Sequence, residues 1–466
     1  MANIIDDSAT ALAQKIKSKE LSCVEVAKAF IDRITLVNPA LNAIHQFEPE
    51  RILQDAKKRD QDIAHGKALG KLHGVPVSMK NHCQVKGFHC DFGSYLFYGE
   101  KSNTNATIMQ RLLDEGAILL GITNVPEMLA AYESDNLIYG KTNNPYDLTR
   151  TPGGSSGGEA ALIAAGGSVL GVGSDAGGSI RQPAHVSGIA GHKPTQYCIP
   201  NAGLIPYDNL GLLSQILTFG PMARYVEDLE LGLGILAGPD GLDPYCVPSQ
   251  FTGTHNKPIS ELTIGYYGEL PDVVLDADIK ATINDVATTL KTLCKSVEQI
   301  EPFDHSKCYR MLWETLFFDG DAAQTVKSFI ASHPDTKIGP FQHAVKRMER
   351  CEYNTAELRQ RILEIDKFRR DILQATSRYD ILICPVTATT APLHGSTYDR
   401  FEDNIYCWPY NITGWPVTVI HCGMSKDHLP IGIQIVAKPW QDHLALNLAK
   451  ILQEHYRPQR PVTPSV

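Results

Sequence analysis

Between residues 72 and 195 the sequence alternates short runs typical of β-strands with runs typical of helices. The order along the chain is GVPVSMK, ATIMQRLLDEGA, AILLGITN, EAALIAAGG and SVLGVGSD, where the first, third and fifth runs are strand-like. Strands that alternate with helices pair into a sheet, and the helices pack on the faces of that sheet. The chain is therefore predicted to be an α/β protein built around one sheet.

The remaining segments fit one domain over residues 1–466. Residues 1–60 are predicted to be helical, and residues 61–300 carry the alternating pattern. Residues 304–378 are charged and mostly helical, and residues 379–466 return to strand-like runs such as YDILICPV. A helical insertion between two parts of one sheet explains this order better than two separate domains do.

The composition excludes several classes of function. With 43% hydrophobic and 20% charged residues, the chain can form an ordinary globular core. Its net charge of −9 and the absence of a basic patch argue against a nucleic-acid partner. The eleven cysteines lack a disulfide spacing, the N-terminus lacks a signal-peptide pattern, and the most apolar run is too short to cross a membrane. We therefore expect a cytoplasmic protein without an integral membrane segment.

Two glycine-rich stretches, residues 150–162 (RTPGGSSGGEAAL) and 173–183 (GSDAGGSIRQP), suggest a serine nucleophile. GSSGG matches the G-x-S-x-G nucleophile elbow of α/β-hydrolases, with Ser156 at its centre. That motif requires a hydrophobic strand directly before it, and NNPYDLTRTP cannot form one. Ser156 and Glu159 instead fit a capping box that opens the helix EAALIAAGG. Ser156 is therefore predicted to cap a helix rather than to react.

Ser155 and Ser179 remain as candidate nucleophiles. Near Ser179 an apolar strand runs into a glycine-rich turn, whose N–H groups could point into a cavity and stabilise an oxyanion. The alternative is a dinucleotide-binding fingerprint, because Gly171, Gly173 and Ala176 fit G-x-G-x-x-A. That fingerprint needs a helix directly after it, and the segment SIRQP is expected to prevent one.

Lys80 is the candidate base, since no histidine lies beside either serine stretch. In LHGVPVSMKN a strand would place Ser78 and Lys80 on one face. Burial disfavours the ammonium form of lysine and lowers its pKa, so a buried Lys80 could accept a proton near neutral pH. On the residues alone, a lysine whose amine reaches solvent from a strand end is the more common interpretation.

Taken together, these segments resemble the amidase signature family, with matches from about residue 8 to residue 455. The matching segments are GVPVSMKN (residues 74–81), TNVPE (123–127), the glycine-rich block (143–195), and residues 219–238, 411–419 and 429–440. The resemblance implies a single large α/β domain with a mixed central β-sheet flanked by helices. It also implies an amidohydrolase that acts on a small-molecule amide.

The resemblance places the family's catalytic triad on Ser179, Ser155 and Lys80. Ser179 would be the nucleophile, Ser155 would follow a cis peptide bond and relay a proton, and Lys80 would be the base. Leu129 to Ala131 would line the acyl pocket, and the alternative is that they belong to the core of an ordinary helix. The oxyanion hole would be formed by the backbone N–H groups of Ala176, Gly177, Gly178 and Ser179.

We expect no cofactor and no metal. Several histidines and cysteines lie near one another in the sequence, namely His73, His82, Cys83, His89 and Cys90. The two His-Cys pairs among them are expected in a loop and lack the converging spacing of a zinc site. The expected partners are the amide substrate and, in a homodimer, a second copy of the chain.

Two departures from the family pattern bear on function. Many members have Asp where this chain has Asn81, which predicts altered tuning of Lys80 rather than loss of activity. Asn404 stands where the glutaminase subunit of the tRNA-dependent amidotransferase has an Asp that meets glutamine, which argues against that role. The resemblance therefore favours free-standing amidases and fatty acid amide hydrolases. The alternatives are a non-catalytic amide-binding protein and the glutaminase subunit.

Overall fold

The predicted strand-like runs pair in one large sheet in the computed structural model, which describes residues 4–204, 210–248, 257–458 and 460–461. The strands are β1 (Ile44–His45), β2 (Pro76–Lys80), β3 (Ile118–Thr123), β4 (Asp135–Asn136), β5 (Gly140–Lys141), β6 (Leu170–Asp175), β7 (Ala190–Lys193), β8 (Thr218–Ala223), β9 (Thr263–Tyr266), β10 (Ser296–Gln299), β11 (Ile381–Pro385), β12 (Val417–Met424) and β13 (Pro430–Ala437). The two predicted domain ends, residues 1 and 466, lie outside the described residues.

The described residues contain an 11-stranded sheet in the order β1-β3-β2-β6-β8-β7-β12-β13-β11-β9-β10, while β4 and β5 pair separately. Neighbouring strands run parallel between β2 and β6 and antiparallel between β6 and β8. The sheet is therefore mixed, and the predicted fold class is confirmed.

Helices flank this sheet along the described part of the chain. They are α1 (Ala9–Lys17), α2 (Cys23–Leu41), α3 (Pro49–Ala64), α4 (Thr107–Asp114), α5 (Gly157–Ala164), α6 (Arg181–Ser187), α7 (Val226–Leu236), α8 (Ala277–Leu293), a π-helix (Arg310–Phe317), α9 (Gln324–Ala331), α10 (Gln342–Met348), α11 (Thr355–Ala375), α12 (Trp408–Ile412) and α13 (Asp442–His455). Among the described residues, no helix combines the length and the apolar character that crossing a bilayer requires.

The helix α6 corrects one prediction from the sequence. The segment SIRQP was expected to prevent a helix after the glycine-rich turn, yet Arg181–Ser187 is helical. Pro183 lies in the first turn of α6, where backbone N–H groups have no partner inside the helix. A proline at this position therefore removes no helical hydrogen bond.

The functional edge of the sheet follows from the pairing of β2 with β6. These strands are parallel, and Ser78 lies opposite Gly171. Because parallel neighbours end at the same edge, Lys80 at the end of β2 comes close to Ser174 near the end of β6. The helix α5 packs against both strands, so its buried side chains reach the same region.

Candidate active site

The side chain of Lys80 is fully buried at the end of β2. Its Nζ lies 2.8 Å from the hydroxyl oxygens of Ser155 and Ser156 and 3.0 Å from that of Ser174. In the described part of the chain, Nζ has no carboxylate partner, and its contacts are all to serine oxygens. Burial lowers the pKa of Lys80 to about 7, although nearby carboxylates oppose the shift. The amine can therefore gain or lose a proton near neutral pH.

The hydroxyl groups around Lys80 provide a route for a proton to reach the amine. Ser156 donates its hydroxyl proton to the carbonyl oxygen of Ser174 at 3.4 Å, so it accepts from Nζ. A neutral amine has a lone pair that can accept one hydrogen bond. The hydroxyls of Ser155 and Ser174 are free to donate to that lone pair, and both line the cavity that contains Ser179.

Ser155 and Ser179 share one cavity without contact between their hydroxyl groups. Ser155 follows a cis peptide bond with Gly154, as the family resemblance implies. The half-buried hydroxyl of Ser179 has no hydrogen-bond partner within the described residues, and the Ser179 carbonyl oxygen accepts from the Ser156 N–H at 3.2 Å. The structure therefore brings Lys80 and Ser155 together, and it places Ser179 nearby without the predicted hydrogen bond to Ser155.

Asp175 shapes the glycine-rich turn before Ser179. Its carboxylate accepts hydrogen bonds from the N–H groups of Gly178 at 2.8 Å and Ile180 at 3.1 Å. It also forms an ion pair with Arg181, with two contacts of 3.0 Å between fully buried side chains. Burial alone would raise the pKa of Asp175, but the Arg181 guanidinium holds this pKa well below its usual value. The turn is thus held by a charged carboxylate.

The turn presents N–H groups beside Ser179, but Gly178 differs from its neighbours. Ala176 and Gly177 line the cavity, whereas Gly178 is not among its lining residues and donates its N–H to Asp175. For the N–H groups of Ala176, Gly177 and Ser179, no acceptor is found within the described ranges. These three groups are therefore available to a ligand.

The cavity has a volume of about 350 Å³ and a mainly apolar wall. The helical insertion supplies several large side chains, among them Trp313, Leu316 and Phe317 of the π-helix. Leu129 lies on the wall with Met128 and Ala130, while Ala131 is not among the lining residues. Met128 and Leu129 both have left-handed φ angles, of 57° and 56°. This segment is therefore an irregular turn beside the cavity rather than part of a regular helix.

Ser156 does not cap α5, so the capping prediction is wrong. Its side chain makes no capping hydrogen bond and accepts from Lys80 instead. The carboxylate of Glu159 accepts from the hydroxyls of Ser78 and of Thr123, the latter at 2.7 Å. Partners from neighbouring strands thus replace the local capping contacts.

Asn81 joins Lys80 to the loop that follows β2. Its side-chain amide donates to Asp91 at 2.7 Å, and its oxygen accepts from the Asp91 N–H at 3.1 Å. Tyr139 donates its hydroxyl proton to the other carboxylate oxygen at 2.6 Å. Phe92, the next residue in this loop, lines the cavity. The sequence marks Asn81 as a departure from the family pattern, but it carries no signal for its partner Asp91, which lies ten residues further along the chain.

The loop histidines and cysteines have structural contacts. Nδ1 of His82 lies 2.7 Å from the carbonyl oxygen of Lys80, and Sγ of Cys90 accepts from the Val85 N–H at 3.3 Å. Over residues 4–204, 210–248, 257–458 and 460–461, no group of three or more His, Cys, Asp or Glu side chains could hold a metal ion.

A buried lysine among serine hydroxyls, beside unpaired backbone N–H groups, is an arrangement suited to acyl transfer. The family model described as Amidase matches residues 25–446. Human fatty-acid amide hydrolase 2 is 31% identical, over 96% of this chain and 88% of that protein. A glutamyl-tRNA(Gln) amidotransferase subunit from Carboxydothermus hydrogenoformans is 32% identical, over 96% of this chain and 97% of that protein.

A solved structure of a fatty acid amide hydrolase superposes with a TM-score of 0.88 at 26% identity, covering 97% of this chain and 86% of that one. Fold and site thus define an enzyme of the class that hydrolyses amides. The chain belongs to the amidase signature family.

Proposed function

We propose that this protein hydrolyses a linear carboxylic amide to an acid and ammonia or an amine through an acyl-Ser179 intermediate. The observation that carries the proposal is the 2.8 Å contact between the buried amine of Lys80 and Ser155, in a cavity that also contains Ser179. A serine hydroxyl is a weak nucleophile and needs a base within reach. Lys80 is that base, because burial keeps a large fraction of its amine neutral near pH 7.

In the first step, the Ser179 oxygen attacks the carbonyl carbon of the amide. The Ser179 proton moves to Ser155, and the Ser155 proton moves to the neutral amine of Lys80. The hydrogen bond between the two serines forms when substrate binds, since catalytic hydrogen bonds are often long in a free enzyme. The proton returns through Ser155 to the leaving nitrogen, and water then hydrolyses the acyl-Ser179 ester through the same relay.

The negative charge that develops on the carbonyl oxygen requires donors that are already in place. The N–H groups of Ala176, Gly177 and Ser179 supply them in this proposal, because each lacks an acceptor among the described residues. The N–H of Gly178 acts indirectly, since its bond to Asp175 keeps the turn in shape.

An apolar acyl group fits the cavity better than a polar one does. The cavity volume of about 350 Å³ lies near the lower end of the usual range for small-molecule sites. Leucine, phenylalanine and tryptophan side chains form most of the wall. Medium-length alkyl or aryl amides are therefore the proposed substrates.

A glutaminase role is the second candidate, and one observation favours it. Asp319 lies on the cavity wall and has no cationic partner among the described residues, so its carboxylate could meet the ammonium group of glutamine. Asn404 does not take this role, because it is not among the residues that line the cavity. The apolar wall makes glutamine the weaker candidate.

A panel of short, aryl and long-chain primary amides, with glutamine included, tests these proposals together with a fluorophosphonate probe. Wild type should release ammonia fastest from the apolar amides and should be labelled at Ser179, whereas Ser179→Ala should do neither. Ser18→Ala, which changes an exposed serine outside the cavity, should behave as wild type. Turnover that survives in Ser179→Ala would contradict the proposal. Faster turnover of glutamine would favour the glutaminase, and the absence of labelling and turnover in wild type would favour the non-catalytic alternative.

A further inference from the structure

A second buried titratable side chain lies near Lys80, and the mechanism above does not use it. Glu159, in the first turn of α5, is fully buried. Its two carboxylate oxygens accept from the hydroxyls of Ser78 and Thr123. Ser78 in turn lies 2.8 Å from the hydroxyl of Ser168. Within the described residues, no cation contacts this carboxylate, so its charge has only hydroxyl groups as partners.

The sheet is built to admit this carboxylate. Gly171 lies opposite Ser78 in the pairing of β6 with β2, and a Cβ atom on Gly171 would collide with Oε1 of Glu159. Thr123, the second partner of the carboxylate, pairs with Lys80 in the register of β3 and β2. Residues two apart on one face of a strand are separated by about 7 Å, so Ser78, which holds the carboxylate, and Lys80 are neighbours on β2. The charge of Glu159 raises the pKa of Lys80, against the effect of burial.

Other charged or titratable groups near Lys80 cannot take the part of Glu159. Asp175, at the end of β6, also favours the ammonium form of Lys80, but its ion pair with Arg181 keeps its pKa well below the usual value. Its charge, and so its effect on Lys80, is therefore constant over the working pH range. His82, directly after β2, is buried, and burial lowers its pKa to about 3, so it is neutral in the working range. Among the described groups that face Lys80, Glu159 is thus the carboxylate without a balancing cation of its own.

We propose that Glu159 is a positioning residue whose negative charge, acting through Lys80, sets the pH at which Ser179 becomes a nucleophile. This inference rests on the proposed function, in which Lys80 is the base. An ionised Glu159 favours the ammonium form of Lys80, and a neutral Glu159 favours the amine. Burial raises the pKa of Glu159 to about 7 and lowers that of Lys80 to about 7, so both lose their protons over one pH range.

Glu159→Gln tests this proposal, because glutamine keeps the shape of the side chain. One of the hydroxyls of Ser78 and Thr123 can turn to accept from the amide N–H group, while the other still donates to the amide oxygen. The rate at which a fluorophosphonate labels Ser179 is measured between about pH 5 and about pH 9. Removal of the negative charge should move the midpoint of the acid limb down by about one pH unit or more. Glu230→Gln is the control. It removes a surface glutamate that pairs with Lys450 at 3.3 Å, and it should leave the midpoint unchanged.

An unchanged or higher midpoint in Glu159→Gln would overturn the proposal, because a merely structural role changes the plateau rate without moving the midpoint. Ser78→Ala is the second variant if Glu159→Gln does not fold. It removes one donor from the carboxylate, raises the pKa of Glu159, and should lower the midpoint by a smaller amount; no shift would again count against the proposal. If wild type is not labelled at Ser179, the proposed function itself fails, which distinguishes the two failures.

Discussion

Nζ of Lys80 and the hydroxyl oxygen of Ser155 lie 2.8 Å apart in the protein interior, where Lys80 is fully buried and Ser155 is 2% exposed. The same Nζ contacts Ser156 and Ser174, so hydroxyl groups take the place that a carboxylate has around most buried lysines. A lysine in such surroundings carries its charge at a cost, because hydroxyl groups compensate the lost hydration less than a carboxylate would.

Replacement of Lys80 by alanine should abolish most activity. Without a base, Ser179 keeps its proton, and general-base catalysis is worth about 10²–10⁴ in rate. The variant should remain folded, because the substitution removes a buried amine rather than leaving an unpaired charge. Steady-state kinetics and circular dichroism measure the two effects. Lys58→Ala, at an exposed lysine, is the matched control, and near-normal activity in Lys80→Ala would refute the role of the base.

The activity of wild type should rise with pH through about 7. Burial lowers the pKa of Lys80 from its ordinary value to about 7, and only the neutral amine can accept a proton. The ammonium form predominates below this pH and is inactive, and the amine predominates above it. A profile of kcat/KM against pH measures the acid limb. A limb centred near the ordinary lysine pKa would show that the amine is solvated in the working enzyme.

Asn81→Asp should destabilise the protein and weaken binding of apolar amides. The new carboxylate would face Asp91, which Asn81 now contacts at 2.7 Å, and would cost about 1–3 kcal/mol of unfolding free energy. The loop carries Phe92 into the cavity, so KM should rise. Thermal unfolding and KM report these effects. The double variant Asn81→Asp/Asp91→Asn again pairs one carboxylate with one amide, so it should recover part of the lost stability and part of the increase in KM. If neither recovers, the contact between residues 81 and 91 does not hold the loop in place.

Gly177→Ala should reduce kcat strongly. A Cβ atom at this position would lie 2.6 Å from Cζ2 of Trp313, so either the turn or the indole must move. Loss of one oxyanion donor typically costs about 10²–10³ in kcat. Gly234→Ala in α7 is the control, because a Cβ there meets nothing within 4 Å. Unchanged kcat in Gly177→Ala would mean that its N–H does not serve the oxyanion.

Much of the fold was predictable because it depends on local pattern. The strands β2, β3 and β6 and the helix α4 lie where apolar periodicity predicts them. The motif block of the amidase signature family also identifies Lys80, Ser155 and Ser179 as the candidate catalytic residues. Their mutual geometry was not predictable from the residues alone, because they lie on three segments separated by up to 99 positions in the chain.

One local motif occurs twice in the chain and gives two different structures. Ser22 and Glu25 form a capping box at the start of α2, where the side chain of each accepts from the backbone N–H of the other at the protein surface. Ser156 and Glu159 have the same spacing at the start of α5, yet neither caps it. Both are fully buried, where strands β2 and β3 offer competing partners.

The sequence by itself determined most of the order of strands and helices along the chain, though not α6, and it determined the family and the residues able to do chemistry. These features depend on neighbouring residues and on motifs. Only the tertiary structure decided that Lys80 contacts three serines, that Gly178 donates to Asp175, and that Glu159 points toward the sheet. The physical reason is burial: away from water, a polar group must bond to whatever the packed fold brings near, however distant in the chain.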